Sequence, residues 1–180
     1  MSVAAVAVYC ASRKGNDARH VDTAATLGRA LAERGIELVY GGGHVGLMGV
    51  IADAALVAGG RVTGVITESL LYAEVGHGAL SELITVPTMH ERKAIMSERA
   101  DAFVMLPGGY GTLDEFFEAV TWSQLGLHDK PCMILDPTGF FAPLVEFIDN
   151  AVATEFIKPK NRALIKTYAS VDELLDALQT

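Results

Sequence analysis

Short apolar runs alternate with segments of helical period along most of this chain, and that alternation constrains the fold more than any other feature. Val3–Tyr9 is a continuous apolar run, as expected of a parallel strand covered on both faces. Asn16 or Asp17 is placed to cap a helix whose apolar positions Val21, Ala24, Leu27 and Leu31 keep helical spacing up to Gly35. Ile36–Tyr40, Arg61–Ile66, Leu80–Val86, Ala102–Leu106 and Cys132–Leu135 read as further strands. Between them lie helices from about Val45 to Ala58, from Thr88, from Thr112 to about Leu125, and over Gly139–Ala153. Thr67 to Ala79 is less regular, with room for one short helical turn and a loop. Ser170 and Glu173 form a capping box for a last helix with Val171, Leu174, Leu175 and Leu178 facing inward. Strands alternating with helices predict an α/β fold: a parallel sheet with helices on both faces and right-handed crossovers. The 180 residues suit a single Rossmann-like domain spanning 1–180.

Composition narrows the function classes. A chain that is 51% hydrophobic and 20% charged has ample apolar surface for a packed core, which excludes a disordered segment. Its 14 Lys and Arg against 22 Asp and Glu give a net charge of −8, with no basic stripe, so no nucleic-acid partner is expected. Met1 to Ser12 is apolar but has neither a positive flank nor a cleavage site, and it is far shorter than the ~20 residues of a membrane span. Cys10 and Cys132 make no metal or disulfide pattern, and two free thiols suit a reducing compartment. The expectation is a soluble cytoplasmic protein without a membrane partner.

Open α/β sheets bind ligands where strand ends turn into helix N-termini. The segments after Tyr9, Tyr40, Ile66, Val86 and Leu106 therefore carry the functional information. After Leu106 comes Pro107-Gly108-Gly109-Tyr110-Gly111-Thr112-Leu113-Asp114-Glu115. Its glycines permit close backbone approach to a ligand, and the N–H groups and dipole of the following helix favour an anion such as phosphate. Thr112 and Glu115 also fit a capping box. With Leu113, Phe116, Phe117 and Val120 as the expected buried stripe, Glu115 shares a face with Glu118 and Trp122, and spacing leaves it open between catalysis, capping and solvation.

A second loop, Gly41-Gly42-Gly43-His44-Val45-Gly46, departs from the dinucleotide fingerprint; the two loops together suggest one nucleotide-sized pocket, not a full dinucleotide site. In Thr88-Met89-His90-Glu91-Arg92-Lys93, Thr88 and Glu91 form another capping box. Met89, Arg92, Met96 and Arg99 then share a helical face. Arg92 either pairs with a carboxylate, snorkels to water, or binds phosphate and developing charge with help from Lys93. Ser12 and Glu74 lie in loops that either touch a ligand or merely turn in solvent. His20, His44, His90 and His128 show no metal spacing, and neither a metal nor an organic cofactor is expected.

These residues resemble a known family. Pro107-Gly108-Gly109-x-Gly111-Thr112-x-x-Glu115, Met89-His90-x-Arg92-Lys93, Gly41-Gly42-Gly43-x-x-Gly46-Leu47-Met48-Gly49 and Thr121-Trp122-x-Gln124-Leu125-Gly126 are similar to the cytokinin riboside 5′-monophosphate phosphoribohydrolases, the Lonely Guy family, some of whose members carry an old lysine decarboxylase label. The resemblance implies hydrolysis of the N-glycosidic bond of a nucleoside 5′-monophosphate, giving a free adenine-type base and ribose 5-phosphate. It implies Arg92 and Glu115 as the catalytic pair. It implies substrate binding by Glu74, Arg92, Lys93, Gly108, Gly109, Tyr110, Gly111, Thr112, Leu113 and Asp114, with Ser12, Gly42, Gly43 and Met89 as further candidate contacts. It also implies a homodimer with the active site near the subunit interface. Cys10-Ala11-Ser12-Arg13 stands where the family commonly has Cys-Gly-Ser-Ser, which changes the contacts of the first loop.

Two rival functions share these features. A carrier on the same fold would hold a nucleotide or cofactor without turnover. A pyridoxal-phosphate lysine decarboxylase would need a Schiff-base lysine, for which Lys93 is the candidate near the site, and a larger cofactor pocket than so short a chain offers.

Overall fold

In the computed structural model, residues 3–73 and 76–178 are described, and their strands form one parallel sheet. The strands are β1 (Ala5–Tyr9), β2 (Glu37–Tyr40), β3 (Val62–Thr67), β4 (Glu82–Val86), β5 (Ala102–Met105), β6 (Cys132–Leu135) and β7 (Ile165–Tyr168), in the spatial order β4-β3-β2-β1-β5-β6-β7. The helices are α1 (Ala18–Glu33), α2 (Gly46–Val57), α3 (Glu68–Ala73), α4 (Met89–Arg99), α5 (Tyr110–Gln124), α6 (Ala142–Ala153), α7 (Pro159–Arg162) and α8 (Val171–Ala177). Among the described residues, no helix is long and apolar enough to cross a membrane.

The continuous apolar runs have a direct cause. Successive strand residues point to opposite faces, and both faces are covered. Val6 and Val8 pack with Leu27, Leu31, Ile51 and Leu174 on the α1/α2/α8 side. Ala5, Ala7 and Tyr9 pack with Met96, Phe103, Phe116 and Ile148 on the α4/α5/α6 side. The sheet edges are less buried: in β4 exposed and covered residues alternate, and β7 exposes Lys166 and Thr167, a charged edge that discourages pairing with another strand.

Several helix starts follow the expected caps. The Asp17 carboxylate accepts from Arg19 N–H at 2.9 Å, Thr88 Oγ1 from Glu91 N–H at 3.2 Å, and Ser170 Oγ from Glu173 N–H at 3.2 Å. The irregular stretch after β3 holds the short helix α3. Two expectations are corrected. Helix α5 begins at Tyr110 behind an N-cap glycine, Gly109, so Thr112 and Glu115 lie inside the helix and do not cap it. Its fully buried face is Thr112, Glu115, Phe116 and Ala119, while Leu113, Phe117 and Val120 are only partly covered. Strand β7 and helix α7 add to the elements read from the sequence.

Strand order places the site. From β1 the chain steps outward through β2, β3 and β4, then returns to the opposite side of β1 with β5 and continues through β6 to β7. The crossover direction reverses between β1 and β5, which is where sheets of this kind open a crevice for ligands.

Candidate active site

A cleft of about 590 Å³ opens at that reversal, a size suited to a small organic ligand. Its floor is knitted from three loops. Ala11 N–H, just after β1, donates to Pro107 O at 3.1 Å, and Ala11 O accepts from Leu47 N–H at 3.0 Å at the start of α2.

One wall is the start of α5. Its first intrahelical bond runs from Leu113 N–H to Gly109 O at 3.0 Å, so the N–H groups of Tyr110, Gly111 and Thr112 precede it. All three residues line the cleft, where their amides and the helix dipole favour an anion. Gly108 is fixed as glycine by close approach, since a Cβ there would strike the Thr112 hydroxyl.

One turn further along α5, Glu115 joins Arg92 of α4 in a buried ion pair. Arg92, on the first turn of α4, is 4% exposed and Glu115 9% exposed, and Arg92 Nη1 donates to Glu115 Oε1 at 2.7 Å. Arg92 is held from two further directions: Nε donates to Val65 O on β3 at 2.9 Å, and Nη2 to Gly41 O after β2 at 3.4 Å. A Cβ on Gly41 would collide with that guanidinium unless it shifted. A charge pair this buried is costly to dehydrate, and removing one partner typically costs ~3–5 kcal/mol. Both residues line the cleft, which puts a fixed carboxylate and a fixed guanidinium at its surface.

The surroundings set the state of neighbouring groups. Burial first, then the nearby Glu115 carboxylate, hold the Tyr9 phenol well above its ordinary range, so it stays protonated. Burial pushes the Cys132 thiol up to about 12, which makes it a packing group and not a nucleophile. Burial alone would lower Lys93, but the hydrogen bonds its ammonium donates to Glu118 and Asp114 outweigh it and raise the ammonium above its usual value.

The residues singled out in the sequence divide into three sets. Ser12, Met89, Arg92, Gly108, Gly109, Tyr110, Gly111, Thr112 and Glu115 line the cleft together. Lys93, Leu113, Asp114, Gly42 and Gly43 do not; Lys93 pairs instead with Asp114 at 3.2 Å and Glu118 at 3.1 Å. That pairing also occupies the lysine a Schiff-base mechanism would use. Glu74 lies outside the described residues. Arg13, Lys14, Leu47, Met48, Leu70, His20 and Phe140, none of them among the expected substrate contacts, also line the cleft. The basic pair right after β1 was a legible signal; the apolar lining and the edge-on contact of Phe140 with His20, 5.5 Å between centroids, depend on the fold.

Over 174 residues the chain is 48% identical to the cytokinin riboside 5′-monophosphate phosphoribohydrolase LOG of Oryza sativa subsp. japonica, covering 97% of this chain and 72% of that protein. The chain belongs to this phosphoribohydrolase family. It is 44% identical over 176 residues to the cytokinin riboside 5′-monophosphate phosphoribohydrolase of Rhodococcoides fascians, covering 97% of this chain and 89% of that one. The family model described as "possible lysine decarboxylase" matches residues 48–178.

Solved structures agree on the fold at much lower identity. The molybdenum cofactor carrier protein of Chlamydomonas reinhardtii superposes with a TM-score of 0.74 at 21% identity, covering 97% of this chain and 94% of that one. The molybdenum cofactor binding protein of Rippkaea orientalis gives 0.72 at 21% identity, covering 100% and 99%. The Rossmann-like architecture is shared; likeness at that identity says nothing of the ligand.

Proposed function

We propose that this cleft hydrolyses the N-glycosidic bond of a nucleoside 5′-monophosphate, such as AMP or isopentenyladenosine monophosphate, to the free base and ribose 5-phosphate. The observation that carries the reading is the buried Arg92–Glu115 pair at the cleft surface, beside the helix N-terminus of α5. Membership of the phosphoribohydrolase family supports it.

The 5′-phosphate sits on the Tyr110, Gly111 and Thr112 amides, and Arg13 and Lys14 extend the positive field from the facing loop. Anchoring the phosphate fixes the ribose and spends remote binding energy on orienting the glycosidic bond. Breaking that bond passes through an oxocarbenium-like state, as in glycoside hydrolysis. Glu115 stabilises the positive charge developing at the sugar carbon and accepts a proton from the attacking water. Arg92 fixes the carboxylate and turns its remaining N–H donors toward the substrate. The apolar lining, including Leu47, Met48 and Leu70, receives a flat base.

Ser12, Met89, Gly108 and Gly109 are substrate contacts within the cleft, while Lys93, Leu113, Asp114, Gly42 and Gly43 act by supporting its walls. Residues 1–180 act as one domain built on the single sheet, in the cytoplasm, where Cys10 and Cys132 remain thiols. The protein works as a homodimer with the site near the interface. The exposed apolar groups along and after α5 support this: Tyr110 at 93%, Leu125 at 65% and Leu127 at 69%. Sedimentation of a monomer across micromolar concentrations would contradict it.

Incubation with AMP, isopentenyladenosine monophosphate and adenosine tests the reading. Free base is expected from both monophosphates, with adenosine poorer in kcat/KM by at least ~100-fold, the scale of losing a charge-assisted phosphate grip. Tight nucleotide binding without base release would instead make this protein a carrier.

A further inference from the structure

Away from the cleft, His44, Asp53 and His77 converge although they come from three separate segments. His77 Nε2 lies 3.0 Å from Asp53 Oδ1, and His44 Nε2 lies 3.6 Å from Asp53 Oδ2. The imidazole centroids are 4.2 Å apart at a tilt of 41°, and the three ligand atoms all fall within 4.8 Å of one another. We propose that these three side chains bind a transition-metal dication of the zinc class, distinct from the site of glycosidic hydrolysis.

The donor set selects the class. Two imidazoles and one carboxylate, without a thiolate, suit zinc, copper or nickel better than magnesium or calcium, which take oxygen ligands. Zinc with nitrogen and oxygen ligands at ~2.0–2.2 Å spaces its ligands ~3.2–3.6 Å apart in a tetrahedron. The observed spacing needs only small side-chain rotations to reach that. His44 and Asp53 have side chains 49% and 56% exposed, so an ion has an entry path and water can fill the fourth position.

The framework is already set on the buried side. His77 is 3% exposed, its N–H donates to Gly42 O at 3.0 Å, and the adjoining Gly76 bridges to Gly43. His44 is packed against α2 at Gly49, where a Cβ would strike its carbonyl. Asp53 is fixed by α2 itself.

Binding has a definable cost. Ala79 N–H donates to His77 Nδ1 at 3.2 Å, so the neutral ring carries its proton on Nε2, directed at Asp53. A metal on Nε2 requires the Nδ1–H tautomer and gives up the Ala79 bond. Once bound, the ion ties α2 to the loops on either side of the Gly43–Gly76 bridge.

The test is a zinc titration of the full-length, untagged protein at pH 7.5 by calorimetry, with cobalt as a spectroscopic stand-in. Wild type is expected to take up one equivalent of either metal, cobalt with visible ligand-field bands, and zinc to raise the unfolding temperature. His44→Ala changes an exposed side chain and leaves the fold intact; it and Asp53→Asn are expected to weaken binding at least tenfold and abolish the thermal shift. Wild-type binding that is not saturable at one equivalent, or that matches His44→Ala, would overturn the proposal and leave the trio a hydrogen-bonded cluster.

Discussion

Two glycine-rich loops follow two strands of one sheet and each opens a helix, yet the structure uses them oppositely. After β5, Gly108 to Gly111 lead into α5, and Tyr110, Gly111 and Thr112 at its start line the cleft. After β2, Gly41 to Gly43 lead into α2, but two of that helix's first amides, Leu47 and Met48, donate to Ala11 O at 3.0 and 3.4 Å. The carbonyls of this second loop are what matter: Gly41 O accepts from Arg92 and Gly42 O from His77 N–H. One loop offers donors to a ligand, the other offers acceptors that hold the protein's own cation. A glycine-rich turn is thus read by where its amides and carbonyls are spent.

Substitutions test this division, beginning with the residue that joins the two loops. Arg92→Ala leaves Glu115 buried without its guanidinium and is expected to cost ~3–5 kcal/mol in chemical denaturation, with at least ~100-fold loss in kcat. A stable, active Arg92→Ala protein would dissolve the link between the loops. Gly41→Ala pushes against the Arg92 guanidinium and is expected to cost ~1–3 kcal/mol as overpacking. Steady-state kinetics should show the loss in kcat, with KM little changed.

Gly111→Ala is the complement. A Cβ there meets nothing within 4 Å and the helical backbone tolerates it, so unfolding is expected to shift by less than ~1 kcal/mol. The methyl group enters the anion site, so KM for AMP should rise while adenosine turnover stays put. An unchanged KM would remove the phosphate from this loop. Lys93→Ala should have the smallest effect, under ~1 kcal/mol in stability and under tenfold in kcat/KM, because its partners lie on the protein and not in the cleft.

Much of the architecture was readable because local rules decide it. The apolar runs of β1, β2 and β5 and the caps at Asp17, Thr88 and Ser170 depend on period and on side chains within three residues. The start of α5 was not: the helix begins at Tyr110 behind Gly109, ahead of Thr112. Counting apolar residues favours Leu113, Phe117 and Val120 as the covered stripe. Glu115 is buried because Arg92, 23 residues earlier, meets it there, and no local pattern encodes that contact. The His44–Asp53–His77 cluster was hidden for the same reason, since its members meet only after β2, α2 and the loop beyond α3 are in place. The resemblance to the phosphoribohydrolases nevertheless named both members of the buried pair, which spacing alone left open.

The central claim is that the Glu115 carboxylate acts on the glycosidic bond of a nucleotide held by the α5 amides. Glu115→Gln keeps the shape and an oxygen to accept from Arg92, so paired measurements of AMP affinity by calorimetry and adenine release under single-turnover conditions isolate the charge. The expected result is AMP binding within a few-fold of wild type and base release slowed at least ~100-fold. Base release at the wild-type rate from a folded Glu115→Gln protein would contradict the account.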